Sequence, residues 1–308
     1  MKVTVVIPVF NERETLRPLV ERITEHIGPH EHRILFVDDG STDGSVEALR
    51  RLHEQFPAVD VIRFRRNFGK SAALAAGFAA AEGDAVITMD GDLQDDPKEI
   101  PRFIEKIEEG WDVVVGWKAN RQDPWHKTFP SRIYNRIVSR LFKLDLHDVN
   151  CGFKALRAEV VRNIPVYGEM HRLIPVLAAD LGYRITEIRV DHRPREHGAS
   201  KYGIERFSRG AIDVLSVLFL SRCQHSPGHF FAKAGFWTVA VGLLGICAAL
   251  AARFCFDAIF MGLMLGFAGV GCVGAGILLI ALGLVAELLV RRLPPTAPAS
   301  LVAEELRH

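Results

Sequence analysis

The sequence predicts an α/β protein: an open, mostly parallel sheet, then an amphipathic segment and two membrane-spanning helices. Three observations predict it. Up to about residue 230, short β-branched runs alternate with amphipathic stretches of helical length. Beyond that point two long uncharged stretches follow one another almost without a break. The polar motifs of the first part each follow an apolar run, and ligands of open parallel sheets bind beyond the carboxyl ends of the strands.

Strands are expected at 3–9, 33–37, 60–64, 85–89 and 113–116, with helices at 14–27, 45–55, 70–81 and 97–109. Alternation of that kind gives a sheet covered on both faces. The run Val3 to Val9 ends in Pro-containing sequence and reads as a first buried strand, too short for a secretory apolar segment. Five cysteines form no C-x-x-C pair, so neither a zinc site nor a disulfide framework is indicated. His147, His171, His192 and His197 likewise lack metal-ligand spacing. With 38 Lys+Arg against 37 Asp+Glu, the charge balance argues against nucleic acid as a partner.

In the C-terminal part the solvent changes. The stretches 236–252 and 258–286 are uncharged, and a bilayer core of about 30 Å needs roughly 20 apolar residues as a helix. The link 253–257 is short, so the two helices form a hairpin. Arg222, Lys233, Arg291 and Arg292 at its outer ends outnumber Arg253 in the turn, which places the polar domain on the cytoplasmic side. Gly262, Gly266, Gly269, Gly271, Gly274 and Gly276 offer small packing surfaces and leave room for a homo-oligomer. Before the hairpin, Ile204, Phe207, Ala211, Ile212, Leu215, Leu218 and Phe219 share one helical face, as in a helix lying in the membrane interface. The expected organisation is a soluble domain over 1–201, a juxtamembrane segment over 202–232, a hairpin over 233–292 and a loose tail over 293–308.

The most informative motif is Asp90-Gly91-Asp92-Leu93-Gln94-Asp95-Asp96-Pro97, directly after the fourth strand. Two carboxylates one residue apart at a strand end can turn toward one small hard cation, and oxygen ligands suit Mg²⁺ or Mn²⁺. Asp95 and Asp96 are placed to cap the helix entered at Pro97. At the end of the first strand, Asn11 either serves a nucleotide or caps the next helix. In Asp38-Asp39-Gly40-Ser41-Thr42-Asp43 one carboxylate is expected to face the crevice, and Asp39 is the choice. Gly69-Lys70-Ser71 lacks the upstream glycine of a Walker A loop, since position 64 is Phe64; what remains is a cationic helix start suited to an anion.

Read together, Pro8-Val9-Phe10-Asn11-Glu12, Asp38 to Asp43, Asp90 to Asp95, Asp148-Val149-Asn150-Cys151-Gly152-Phe153 and Arg195 to Tyr202 resemble the ordered signatures of family-2 glycosyltransferases with a GT-A fold. With the terminal hairpin, the chain is similar to polyprenyl-phosphate glycosyltransferases, the group that includes dolichol-phosphate mannose synthases and bacterial undecaprenyl-phosphate glucosyltransferases.

The resemblance implies inverting transfer of a hexose from a UDP- or GDP-linked donor to a polyprenyl phosphate, by an integral enzyme of a bacterial inner membrane. It implies a metal held by Asp90, Asp92 and Gln94, with Asp92 the firmest ligand. Asp148 occupies the position of the catalytic base, although a phosphate acceptor, with a second pKa near ~6, is already anionic. The donor would be held by Pro8, Asn11, Glu12, Asp39, Lys70, Asp90, Arg195 and Lys201. The acceptor phosphate would be held by Arg121, Lys127 and Arg132. Cys151 stands where relatives carry Ser and is expected to be a buried structural thiol. Rival readings are another acceptor, a glycolipid or polysaccharide, and a non-catalytic nucleotide-binding scaffold; intact Asp90, Asp92 and Asp148 argue against the latter.

Overall fold

The computed structural model describes residues 1–119, 125–168, 170–191, 227–255, 258–290 and 302–306. By its internal contacts the chain divides into two compact units, Met1–Asp213 with Ala297–His308, and Val214–Thr296.

The first unit is built on β1 (Lys2–Val9), whose Val, Ile and Thr side chains suit a pleated, fully covered position. Val5 and Ile7 on one face and Val6 on the other are all completely buried, so both faces are covered. β2 (Glu31–Asp38), β3 (Val59–Phe64) and β4 (Ala85–Thr88) extend the sheet in parallel, β2 and β4 flanking β1. The connecting helices are α1 (Leu16–His26), α2 (Ser45–Gln55) and α3 (Lys70–Ala80). After a 3-10 turn at Pro97–Glu99 come α4 (Ile100–Glu108) and β5 (Val113–Trp117).

The remaining elements of the unit lay outside the sequence expectation. They are α5 (Trp125–Phe142), β6 (Lys154–Arg157), α6 (Ala158–Asn163), α7 (Ile174–Asp180), β7 (Ile185–Arg189) and β8 (Val302–Leu306). The strand order is β7-β5-β6-β4-β1-β2-β3-β8. β6 lies antiparallel between β4 and β5, and β8 lies antiparallel on β3. The expected loose tail is therefore corrected in part: residues 302–306 pair with the edge of the sheet, where β3 offers unmatched backbone groups. On α5, Ile133, Ile137 and Leu141 recur every four residues and are exposed beside exposed Arg136 and Arg140.

The second unit holds α8 (Pro227–Cys255) and α9 (Ile259–Val290), packed against each other. Spans of 26 and 28 residues within them are long and apolar enough to cross a membrane. Their large apolar side chains face outward, Phe254 at 79% and Phe267 at 76% exposure, the reverse of a buried core helix. Glycines let the backbones meet: a Cβ at Gly242 would stand 2.7 Å from the Gly269 carbonyl, and one at Gly269 would stand 2.8 Å from that of Gly242. Gly269 and Gly276 are thus used within the hairpin, whereas Gly271 and Gly274 meet nothing within 4 Å. The interfacial helix expected from the 202–222 pattern lies outside the described residues.

Close packing of α3 on the sheet depends on Gly77, where a Cβ would overlap Val6 Cγ1 and touch Val37. Gly77→Ala gains helix propensity worth about 1 kcal/mol, but overpacking costs about 1–3 kcal/mol. A thermal melt of the detergent-solubilised variant is expected to fall below that of the parent, and an unchanged or higher midpoint would contradict this packing.

Candidate active site

The site is assembled where β1, β2 and β4 end. Both oxygens of Asp39, just after β2, accept backbone N–H groups, Phe68 at 2.6 Å and Gly69 at 2.9 Å. This fastens the β3–α3 loop down. Gly40 has φ +73°, and a Cβ there would lie 2.5 Å from the Arg66 backbone, so only glycine lets the two loops touch. Asn11 takes the left-handed conformation (φ 55°) that asparagine tolerates. Its N–H donates to Ser41 Oγ at 2.9 Å and its side-chain oxygen accepts from Thr42 N–H at 2.8 Å. Asn11 therefore ties two loops together instead of capping α1. The Glu12 N–H donates to Ser45 Oγ in the same seam, and Pro8 lines the cleft.

With its loop fastened, α3 begins at Lys70, whose ammonium pairs with Asp90. Burial alone would raise the Asp90 carboxyl, but Lys70 and then Lys118 outweigh it and hold the group ionised, well below the usual carboxylate range. Asp90 also lies against Gly152, where a Cβ would come 2.9 Å from its Oδ2. Asp92 is buried, and its Oδ1 accepts the Gln94 N–H at 3.2 Å across Leu93. Leu93 has φ 61°, an uncommon and strained value for a side chain of that size.

Of the two following carboxylates, only Asp96 caps the helical segment, accepting the Lys98 N–H at 3.2 Å. The cap expected of Asp95 is corrected: its carboxylate is buried, pairs with Lys118 at 2.6 Å and accepts the Asp90 N–H at 3.2 Å. Burial would lower the Lys118 ammonium, but Asp95, Cys151 and Asp90 together outweigh it and raise the pKa.

Asp148 is 2% exposed and accepts a hydrogen bond from Asn135 Nδ2 of α5 at 3.0 Å. Its neighbour His147 stacks on Trp117 at 4.1 Å between ring centroids and donates its N–H to Glu187 at 2.7 Å, fixing the loop that carries Asp148. Cys151 is buried, as expected, and burial pushes its thiol up to about 12.

The cleft is lined by Pro8, Lys70 and Asp90 and by Lys154, His171 and Arg172, which sequence reasoning missed. Lys154 is 2% exposed and donates to the Cys151 carbonyl; Ser71 Oγ lies 2.8 Å from His171 Nδ1. Burial, with Lys70, Arg172 and Lys154 nearby, pushes the His171 pKa well below its ordinary value, so the ring is neutral at neutral pH. Lys127 and Arg132 fall on α5, with their side chains undescribed, and Arg121, Arg195 and Lys201 lie outside the described residues. Among the described residues no three His, Cys, Asp or Glu side chains converge as a ligand cluster, so a cation here relies on Asp90 and Asp92 with other donors.

Two outcomes follow from this packing. A thiol raised to about 12 is thiolate at only about one part in 10⁴ at pH 8. Iodoacetamide at that pH should leave Cys151 unmodified in the native chain and modify it after denaturation, as read by peptide mass spectrometry. Gly152→Ala should displace Asp90 and cut turnover by about tenfold or more with little change in melting temperature; undiminished turnover would remove Asp90 from the reaction centre.

Comparison with known proteins agrees with this architecture. Residues 4–165 match the model of Glycosyl transferase family 2. The chain is 38% identical over 303 residues to a dodecaprenyl-phosphate galacturonate synthase of Rhizobium johnstonii, covering 94% of this chain and 88% of that protein. It is 37% identical over 264 residues to an undecaprenyl-phosphate 4-deoxy-4-formamido-L-arabinose transferase of Pseudomonas syringae, covering 84% and 77%. In fold it is similar to glucosyl-3-phosphoglycerate synthase of Mycobacterium tuberculosis, solved with Mn²⁺, UDP-glucose and glycerol 3-phosphate. The TM-score is 0.56 at 20% identity, over 72% of this chain and 80% of that one. A sheet of GT-A type ending in paired carboxylates, and these matches over most of the chain, show that the protein belongs to glycosyl transferase family 2.

Proposed function

We propose that this glycosyltransferase moves a hexose from a UDP- or GDP-linked donor to a polyprenyl phosphate, with inversion at the anomeric carbon. The observation that carries the reading is Asp90, a carboxylate held ionised beside a lysine at the mouth of a parallel sheet. The names of the relatives, one of which aligns with 94% of this chain, supply the acceptor class.

A divalent ion, Mg²⁺ or Mn²⁺, fits these residues. Asp90 and Asp92 offer hard oxygen donors, Gln94 adds an amide oxygen, and Asp90 already faces a cation in the form of the Lys70 ammonium. When bound, the ion neutralises charge that develops on the diphosphate leaving group. Lys70, released from Asp90, then serves that diphosphate. Asn11, Glu12 and Asp39 shape the pocket for the nucleoside, while Arg195 and Lys201 close over the donor.

The lipid phosphate needs no strong base. One of its oxygens forms the new bond to the anomeric carbon as the bond to the nucleotide diphosphate breaks on the opposite face. Asp148, oriented by Asn135, aligns the acceptor instead of taking a proton. Arg121, Lys127 and Arg132 meet the lipid phosphate. The exposed apolar and arginine-bearing face of α5 is suited to an anionic membrane surface. The charge pattern around the hairpin favours a cytoplasmic face for this domain, and the bacterial origin of the relatives supports an inner-membrane location.

The test incubates the full-length protein in detergent with Mg²⁺ or Mn²⁺, undecaprenyl phosphate and a panel of labelled UDP- and GDP-sugars. Label should enter the organic phase with one donor, vanish with EDTA, and fall about 10²-fold or more in Asp92→Ala. Tight metal-dependent nucleotide binding without lipid label from any donor would discard the polyprenyl phosphate acceptor.

A further inference from the structure

The cleft contains a hydrogen-bond donor that the transfer described above leaves unused. His171, in the short 3-10 turn Met170–Leu173, lines it. Burial first, then Lys70, Arg172 and Lys154, outweigh Asp90 and keep the ring neutral at neutral pH. A neutral imidazole carries one N–H, on Nδ1 or on Nε2, and the partner of one nitrogen decides the state of the other.

Ser71, in the first turn of α3, makes that decision. Its hydroxyl is buried, accepts the backbone N–H of His171 at 3.1 Å and lies 2.8 Å from Nδ1 of the same residue. Among the described residues Ser71 Oγ has no other hydrogen-bond partner. A buried hydroxyl proton without an acceptor is costly, so the O–H donates to Nδ1. The ring proton therefore sits on Nε2. One serine thus holds both the backbone and the ring, and the Nε2–H meets no acceptor among the described residues.

The part of the donor that still lacks a partner is the hexose. The diphosphate is met by the divalent ion and Lys70, and Asn11, Glu12 and Asp39 shape the nucleoside pocket. Hexose hydroxyls withdrawn from water need hydrogen-bond partners. Among the described residues the lining includes three uncharged hydroxyl, amide or imidazole side chains, Thr88, Asn150 and His171. Thr88 spends its proton on the Gly152 carbonyl at 2.8 Å. Of the other two, His171 alone has its side chain fixed from behind by a hydrogen bond, so it offers a donor at a defined place.

We propose that His171 reads one hydroxyl of the transferred hexose through its Nε2–H, and that Ser71 is the positioning residue that fixes this donor. The inference rests on the sugar-transfer reading above and adds a residue that distinguishes one hexose from another. Epimers differ in where a hydroxyl points, so a single fixed donor separates them.

The test uses full-length protein in detergent with Mn²⁺, the UDP- or GDP-sugar that binds most tightly in the panel above, and the monodeoxy analogues of that sugar nucleotide. Calorimetric affinity is read beside label transfer to undecaprenyl phosphate. One analogue should lose about tenfold or more against the complete donor. In His171→Ala that ratio should collapse, and His171→Gln, whose amide N–H reaches toward the Nε2 position, should restore part of it. Affinity for UDP or GDP without the sugar should not change. A parent enzyme that accepts every monodeoxy analogue as well as the complete sugar overturns the inference and leaves sugar transfer standing. Loss of affinity for the sugar-free nucleotide in His171→Ala, equal to that for the donor, also overturns it and assigns the N–H to the diphosphate. Lipid label from no donor, with one analogue binding weakly to the parent and as well as the complete donor to His171→Ala, overturns the acceptor reading and upholds this one. Should His171→Ala fail to fold, Ser71→Ala decides: weakened discrimination at the same hydroxyl upholds the inference, and full retention overturns it.

Discussion

Carboxylates gathered at the ends of buried strands have to be neutralised, and the catalytic unit is organised around that demand. Asp39 is satisfied by two backbone amides, Asp95 by Lys118 and Asp90 by Lys70. Each solution fixes a different segment. The amides on Asp39 set the loop that delivers Lys70, and Lys118 brings the end of β5 onto the aspartate loop. Mutual repulsion thereby becomes a set of oriented contacts, which is how low-dielectric sites preorganise charge.

The same logic separates what was legible in the sequence from what was not. Asp90 and Asp92 were visible because their partners in function are neighbours in the chain, directly after an apolar run. The strands β1 to β5 were visible for a similar reason, each being a continuous β-branched run. β6 was not: four residues, Lys-Ala-Leu-Arg, carry no period, and only insertion between β4 and β5 makes them a strand. Lys154 went unnoticed for that reason. Asn135 was hidden because its meaning lies in an Asp148 contact across a helix end. Asp95 read as a cap because local geometry permits one, but a buried lysine from another strand competes more strongly.

The second unit follows a different rule. Its helices gain little from burying apolar side chains against each other, since most of those side chains point outward. Contact between them comes instead from backbone approach at Gly242 and Gly269 and at Gly235 and Gly276. Aqueous burial and charge pairing shape one half of the molecule; small-residue packing shapes the other.

β8 gives the chain an unusual connectivity. Because residues 302–306 return to the edge of the sheet, the hairpin is an insertion within the catalytic unit, not an appendage at its end. A chain that leaves the sheet and returns to it closes a long loop, so the outer backbone groups of β3 find these partners only after the whole hairpin has been made.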